Sequence, residues 1–196
     1  MEADSISTEK TAPCELIMGI TCYLAFISQY ISAIETLQYD RPELLSNAYI
    51  ELANQAIERQ LTMDICKIYD RENYRDNINC SMEALRGACL ACPESFPKEE
   101  KDELICEISS LYVRFEEIIS RNTRNKKLAH GDLEELFSIN AVYIEFEKEK
   151  ELFLRTVETL EKVAHRLHMK DWKISDFLKG PDINKDYLGA LDKLYH

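Results

Sequence analysis

The stretch that decides the fold is LIMGITCYLAFISQYISAI, residues 16–34, which contains no charged side chain. Its large aliphatic residues recur at alternating spacings of three and four, at Ile17, Ile20, Leu24, Ile27, Ile31 and Ile34. That period places all six on one face of an α-helix. The stretch therefore predicts a long helix with a continuous apolar stripe.

Such a helix can be buried in a protein core or in a lipid bilayer. A bilayer span takes about 20 apolar residues, which this stretch nearly supplies. No Lys or Arg stands directly beside it, and four polar residues interrupt it: Thr21, Ser28, Gln29 and Ser32. We predict a buried helix of a soluble protein, with a membrane span as the alternative.

Outward from this stretch the helical pattern continues. The chain of 196 residues has only 5 Gly and 5 Pro, and long runs contain neither, which favours helices over short strands. The first helix is predicted over about residues 15–37. Asp40 and Glu43 have the spacing of a capping box around Pro42, so a second helix is predicted from there to about residue 69. Its expected apolar stripe is Leu45, Ala48, Leu52 and Ala56, then Leu61, Ile65 and Ile68.

Three further helices are predicted over about residues 78–91, 98–123 and 140–169. The fourth helix carries the stripe Leu104, Ile108, Leu111, Phe115 and Ile118. The last carries Phe146, Phe153, Val157, Leu160, Ala164 and Leu167. Long amphipathic helices with short connections predict an all-α fold, an antiparallel bundle of four long helices plus short helices. The expected organisation is a flexible N-terminus at residues 1–13, the bundle at 14–170 and a short C-terminal appendage at 171–196.

The balance of charges limits the classes of partner. With 24 Lys and Arg against 36 Asp and Glu, the formal net charge is −12, which argues against general duplex binding. A small local basic site remains compatible with this charge, as does docking to a basic partner. The chain has 7 Cys, an odd number that cannot all pair within one chain. Glu2, Asp4 and Glu9 make the N-terminus acidic, whereas a secretory signal begins with a positively charged region. We therefore expect reduced thiols in a cytoplasmic protein.

The chemically suggestive segment is RNKKLAHGD, residues 124–132, where the fourth helix is predicted to end. The imidazole of His130 can exchange a proton near neutral pH, and the guanidinium of Arg124 can hold a phosphate through two parallel hydrogen bonds. Together they supply what RNA cleavage by the neighbouring 2′-hydroxyl needs, with no metal. The alternative is a cationic helix end, stabilised by the helix dipole, with His130 as a turn residue.

The run Arg124-Asn125-x4-His130 resembles the signature of the HEPN superfamily, an Arg followed after four to six residues by a His. A polar residue often follows the Arg in that signature, as Asn125 does here. The sequence Leu128-Ala129-His130 with Asp132 after it is most similar to the abortive-infection AbiU-type HEPN proteins. The junction IYDR at residues 68–71, where an acidic residue closes the second helix, is similar to that group too.

This resemblance implies a helical bundle that forms a homodimer and brings two motif copies together as a metal-independent endoribonuclease. His130 would be the general acid and base, Arg124 would hold the scissile phosphate, and Asn125 would orient the phosphate or the imidazole. Members often act in phage defence or toxin–antitoxin pairs, so a regulatory or antitoxin protein is an implied partner. In the HEPN class paired with nucleotidyltransferase antitoxins a Tyr follows the His by two residues. Here Asp132 occupies that position, which argues against regulation by modification of that Tyr.

The residues around the motif are basic in a chain that is acidic overall. Arg121, Lys126 and Lys127 adjoin Arg124, with Arg114 further back along the fourth helix, so the cluster can hold a few phosphates. We assign RNA binding to Arg121, Lys126 and Lys127. Glu116 and Glu117 interrupt the cluster, which leaves an ordinary solvated helix face as the alternative.

Two other groups, a Cys pair and a His pair, have the residue types of metal ligands but do not complete a metal site. Cys89 and Cys92 form a single CxxC, whereas structural zinc needs four ligands, and Cys80 and Cys106 are unpaired candidates. His165 and His168, with Glu161 one turn earlier, could share a metal, but a solvated pair near a helix end explains them as well. We expect no metal and no cofactor.

Two hypotheses follow from the sequence. The first is a homodimeric HEPN endoribonuclease that acts on RNA. The second is a non-catalytic HEPN module of the same fold that binds RNA or a protein partner. The orientation of His130, in an open cleft or in buried contacts, would discriminate them.

Overall fold

The computed structural model describes residues 12–71, 73–74, 77–91, 98–119, 145–169 and 172–178. Four long helices pack around a shared core: α1 (Pro13–Glu35), α2 (Ala48–Ile68), α4 (Lys98–Ile118) and α5 (Phe146–Arg166). Two shorter helices complete the described part, α3 (Met82–Ala91) and α6 (Ile174–Leu178). The predicted all-α fold class is confirmed.

Helix α1 lies at the centre of this packing. It contacts α2, α3, α5 and α6, and all six residues of its apolar stripe are buried, each at most 6% exposed. Its length and composition over Pro13–Asp40 would also suffice to cross a membrane. The side of α1 away from the core exposes Met18, Cys22 and Phe26, one helical turn apart.

Side-chain pairs fix the directions of the long helices. On α4 and α5, Glu107 meets Lys162 and Arg114 meets Glu151, so these two helices are antiparallel. On α2 and α5, Thr62 meets Glu149, and seven residues further along both helices Tyr69 meets Thr156. Helices α2 and α5 therefore run in the same direction, with a spacing of two helical turns between the two contacts.

The second helix begins later than predicted. Helix α1 continues into a π-helical turn, Thr36–Asp40, and a 3₁₀ turn, Pro42–Ser46, precedes α2. The predicted cap at Asp40 is wrong, because no side chain caps the 3₁₀ turn and Asn47 caps α2, accepting a hydrogen bond from the Tyr49 N–H at 2.9 Å. The residue before a proline avoids helical backbone angles, which separates the two turns at Arg41 (φ −135°, ψ 52°).

The predicted stripe in the first half of the second helix is also wrong. Leu52 is 66% exposed, and Ala48 and Ala56 are not buried. The buried side is instead made by Ile50, which packs with Leu37 and Leu44 in a small second core, and by Asn54. Asn54 is 4% exposed and its side-chain amide nitrogen donates to Glu58 at 2.9 Å, a polar contact that the apolar pattern does not reveal.

The third helix starts at Met82, not near residue 78. Asn77–Ile78 pairs antiparallel with Asn73–Tyr74 in a two-residue ladder, which is too short to form a sheet layer. Ser81 then caps α3, and its hydroxyl accepts from the Ala84 N–H at 3.3 Å. The predicted buried stripe of α4 is confirmed at Leu104, Ile108, Leu111 and Phe115.

The last long helix begins at Phe146, since Glu145 already has extended angles, and ends at Arg166 rather than Met169. Its end is a Schellman-like turn: the Met169 N–H donates to the Ala164 carbonyl at 3.0 Å and the His168 N–H to the His165 carbonyl at 3.1 Å. His168 takes a left-handed backbone, with φ 59°, to make this turn. Beyond it, Ile174 of α6 is fully buried in the main core, so this part of the predicted appendage packs on the helices.

The observed cap of α2 generates a prediction that separates the two candidate start residues. Asn47→Ala removes the acceptor for the Tyr49 N–H and should lower the free energy of unfolding by about 1 kcal/mol. Asp40→Ala, the matched control at the cap that the sequence suggested, should change it by less than about 0.5 kcal/mol. Urea denaturation of both variants measures this, and equal losses would contradict the assignment.

Candidate functional site

The predicted site residues lie outside the described residues. All of them fall between α4 and α5: Arg121, Arg124, Asn125, Lys126, Lys127 and His130. The structure instead describes the frame from which this segment, residues 120–144, departs and to which it returns.

The two ends of the segment are brought to the same place by the antiparallel pairing of α4 and α5. Arg114 of α4 donates to Glu151 of α5 at 2.8 Å. Ile119 lies five residues after Arg114, and Phe146 lies five residues before Glu151. In antiparallel helices this register places Ile119 and Phe146 side by side. Both are buried, at 0% and 7% exposed, which fixes the ends of the segment in the core.

The end of α1 joins this frame. The Lys150 ammonium of α5 pairs with Glu35 at the end of α1. The Tyr39 hydroxyl, in the π-helical turn that follows, donates to Glu147 at 2.8 Å. The ends of α1 and α4 and the start of α5 therefore meet where residues 120–144 begin and end.

The cations of this rim are already engaged by carboxylates. Arg114 binds Glu117 as well as Glu151, and Lys148 binds Glu145. The side chain of Arg114 was part of the basic cluster in the sequence, and the structure pairs it with two acidic neighbours. Hydrogen bonds to both raise the pKa of its guanidinium further.

A buried carboxylate lies just inside this rim. Glu149, in the first turn of α5, is only 3% exposed, and its side chain accepts from the Thr62 hydroxyl at 2.6 Å. Burial raises the pKa of Glu149 to about 7, the Thr62 hydrogen bond acts in the opposite direction, and the negative charge of Glu58 adds to the rise. Glu149 therefore changes its charge near neutral pH.

A second polar contact lies two turns deeper between the same helices. The hydroxyls of Tyr69 and Thr156 are 2.6 Å apart, and both residues are buried. The Tyr69 ring stacks on Phe115 of α4 with 4.7 Å between centroids. Tyr69 thus joins α2, α4 and α5, and burial raises the pKa of its hydroxyl so that it stays protonated.

Sequence reasoning missed Glu149 and Thr156, although a signal was present. The residues Phe146, Glu149, Phe153, Thr156 and Leu160 follow one another at spacings of three, four, three and four. A Glu and a Thr therefore occupy core positions of the apolar stripe, which indicates buried polar groups with partners on another helix. The sequence does not identify those partners, because Thr62 and Tyr69 lie 87 residues away.

The other candidates from the sequence do not come together. Cys89 is buried, Cys106 is exposed, and Cys92 lies outside the described residues. His165 and His168 are exposed, and Glu161 accepts from the Ser175 N–H at 3.4 Å. Among the residues that the structure describes, no three His, Cys, Asp or Glu side chains are grouped as a metal site would require.

Comparison with known proteins adds no relative, since no protein-family model, no curated protein and no solved structure matches the chain.

The buried Glu149 generates a prediction of pH-dependent stability. Its pKa is 4.5 ordinarily and about 7 in the fold, so between those values the folded chain retains a proton that the unfolded chain releases. The free energy of unfolding should therefore fall as pH rises through this window. Glu149→Gln keeps an acceptor for the Thr62 hydroxyl and has no charge to bury. Above pH 7 its free energy of unfolding should therefore exceed that of the wild type by about 1–3 kcal/mol.

Urea denaturation across the range between these two pKa values and just above it measures this difference. The control is Glu116→Gln, an exposed substitution on α4 that should leave the wild-type pH profile in place. Parallel profiles for wild type and Glu149→Gln would rule out ionisation of a buried Glu149.

Proposed function

We propose that the chain is a metal-independent HEPN endoribonuclease that acts as a homodimer with a composite Arg-x5-His site. The observation that carries the proposal is the motif Arg124-Asn125-x4-His130, on a segment whose two ends are level with each other between antiparallel helices.

The chemistry needs only groups that the motif contains. His130 would take the proton of a ribose 2′-hydroxyl as its oxygen attacks the adjacent phosphorus. The bond from phosphorus to the 2′-oxygen forms and the bond to the 5′-oxygen breaks, and an imidazolium returns a proton to the leaving oxygen. Arg124 would neutralise the charge that develops on the phosphate, and Asn125 would orient it. The products are a 2′,3′-cyclic phosphate and a 5′-hydroxyl.

The proposal extends to the architecture and to phosphate binding. The long helices α1, α2, α4 and α5 would form a HEPN-like antiparallel bundle, with the motif at one end. Because Arg114 and Lys148 at the rim are paired with carboxylates, the RNA backbone would be held by the cations of the segment itself. Those are Arg121, Lys126 and Lys127, next to Arg124.

A second copy would complete the site. The exposed side chains of Met18 and Phe26 on α1, 49% and 53% exposed, support an association of two copies. A two-fold interface uses the same surface on both copies, so each motif could meet its counterpart. The protein would then be a cytoplasmic toxin or phage-defence ribonuclease, restrained by an antitoxin or regulatory protein.

The catalytic prediction is that His130→Ala and Arg124→Ala each abolish RNA cleavage and leave the helical circular dichroism unchanged. His130→Ala removes general acid–base catalysis, which should lower the cleavage rate roughly 10²–10⁴-fold. Arg124→Ala removes the positive charge at the phosphate and should lower the rate by about as much. Cleavage of single-stranded RNA by the wild type should persist in EDTA and leave a 2′,3′-cyclic or 3′-phosphate end. Gel assays with end-labelled RNA measure both.

His168→Gly is the matched control, since it removes an exposed imidazole at the far end of α5 and suits the left-handed backbone there. Its cleavage rate should equal that of the wild type. A purified dimer that binds RNA but cuts none, or a His130→Ala variant with full activity, would replace the ribonuclease with the non-catalytic binding module.

The assembly prediction is a dimer of twice 22.8 kDa in light scattering at micromolar concentration. Phe26→Glu places a charge on the exposed side of α1 and should shift the species towards the monomer. Glu116→Gln serves as the control on another exposed face. A wild-type monomer at all concentrations would exclude a site that two copies share.

A further inference from the structure

A cleft of about 610 Å³ lies at the C-terminal end of α5, where the chain turns into α6. Residues of the last turns of α5 line it together with Met169, Trp172 and Lys173. Its volume lies within the roughly 300–1,000 Å³ of pockets that bind small molecules. With 21 residues in α5, this cleft lies roughly 30 Å from the end at which the motif segment enters.

Contacts with other helices hold part of the wall in place. The Arg166 guanidinium donates to the Glu100 carbonyl of α4 at 2.7 Å, and Lys162 pairs with Glu107 of α4 at 2.5 Å. Glu161 accepts from the Ser175 N–H at the start of α6. The Schellman-like turn fixes the backbone between α5 and Met169. The cleft is therefore largely formed before any ligand arrives.

Two of the lining side chains, Lys173 and His165, can donate hydrogen bonds to an anion and are free to meet a ligand. His165 and Lys173 are exposed, and within the described part of the chain neither side chain makes a hydrogen bond or ion pair. Over the whole lining, three side chains carry a permanent positive charge, Lys162, Arg166 and Lys173, against the two carboxylates of Glu158 and Glu161. An excess of this sign in a chain of net charge −12 favours an anionic ligand.

An aromatic wall adjoins these cations. Trp172 stacks on Phe177 with 4.4 Å between ring centroids, which holds the indole in one orientation. Met169 lines the same cleft. Flat rings bind on indoles by stacking, and polarizable sulfur packs well against aromatic edges.

We propose that this cleft is a second binding site, for a small organic anion that carries a flat ring, of the size of a nucleoside monophosphate. Lys173 and His165 bind the phosphate or carboxylate, and Trp172 and Met169 bind the ring. Nothing in this assignment depends on RNA cleavage, since the cleft lies at the C-terminal end of α5 and the motif segment joins the helix at its N-terminal end.

The only Trp of the chain lies in the cleft, so its fluorescence reports binding directly. Titration with AMP should change this fluorescence saturably, and calorimetry should give the same affinity. Adenosine, which lacks the anion, and inorganic phosphate, which lacks the ring, should each bind at least about tenfold more weakly. Equal binding of either one would overturn the combined recognition that we propose.

Two variants locate the site. Lys173→Ala and His165→Ala should each weaken AMP binding by roughly tenfold or more, the usual effect of losing a charge-assisted hydrogen bond. Lys148→Ala, at the opposite end of the same helix, is the matched control and should bind AMP as the wild type does. His130→Ala should do so too, which separates this site from the proposed ribonuclease.

No saturable response to millimolar AMP in either measurement would remove the proposal. Binding that Lys173→Ala leaves unchanged would do the same, because the ligand would then lie elsewhere. Loss of cleavage in His130→Ala with normal AMP binding would support both sites independently.

Discussion

The burial of one face of α1 is the constraint on which the other helices depend. Six large aliphatic residues on that face are nearly inaccessible, and α2, α3, α5 and α6 all pack against the helix. Full burial of each such side chain contributes about 1.5–3 kcal/mol, so the stripe provides roughly 10 kcal/mol or more before conformational entropy is subtracted. Because α1 carries no charge between residues 16 and 34, it adds no ion pair there, and specificity of packing has to come from the helices around it.

That specificity comes from polar groups in the core, and α5 carries several of them. Glu149 and Thr156 lie in its apolar stripe and select Thr62 and Tyr69 on α2. A shift of α5 by one turn would leave the Glu149 carboxylate and the Tyr69 hydroxyl buried without partners, which costs more than the hydrogen bonds themselves contribute. The hydroxyls of Thr62 and Thr156 would keep the backbone carbonyls of their own helices as acceptors. The same register places Arg114 against Glu151 and thereby sets where residues 120–144 begin and end.

Periodicity predicted the helices well where their buried faces are purely apolar. The stripe of α1 and the main part of that of α4 were correct residue by residue, because spacing alone decides which side of such a helix faces the core. The pattern failed on α2, where Ile50 and a hydrogen-bonded Asn54 face inwards and Leu52 faces outwards. Packing of Ile50 on Leu37 and Leu44, in the turns that follow α1, and the hydrogen bond from Asn54 to Glu58 decide these positions. The cap at Asn47 rather than Asp40 likewise depends on how α1 ends. Of the candidate site, the sequence identified the motif residues, which lie outside the described residues, and the structure shows the helix ends that flank their segment.

Helix α5 connects two places that differ in their physical chemistry. At its start a carboxylate that ionises near pH 7 lies one turn from the point where the motif segment returns to the core. At its end the exposed Lys173 adjoins an aromatic wall, and the left-handed backbone of His168 makes the turn that shapes the cleft. A rigid helix transmits a shift at one end to the other only if its register changes, and the Thr62–Glu149 and Tyr69–Thr156 contacts oppose such a change. Protonated Glu149 buries no charge, whereas the ionised form buries one, a cost that its hydrogen bond from Thr62 offsets only in part. The start of α5 is therefore the point at which pH can loosen the helix, and the cleft at its far end stays outside that influence while Tyr69 and Thr156 remain paired.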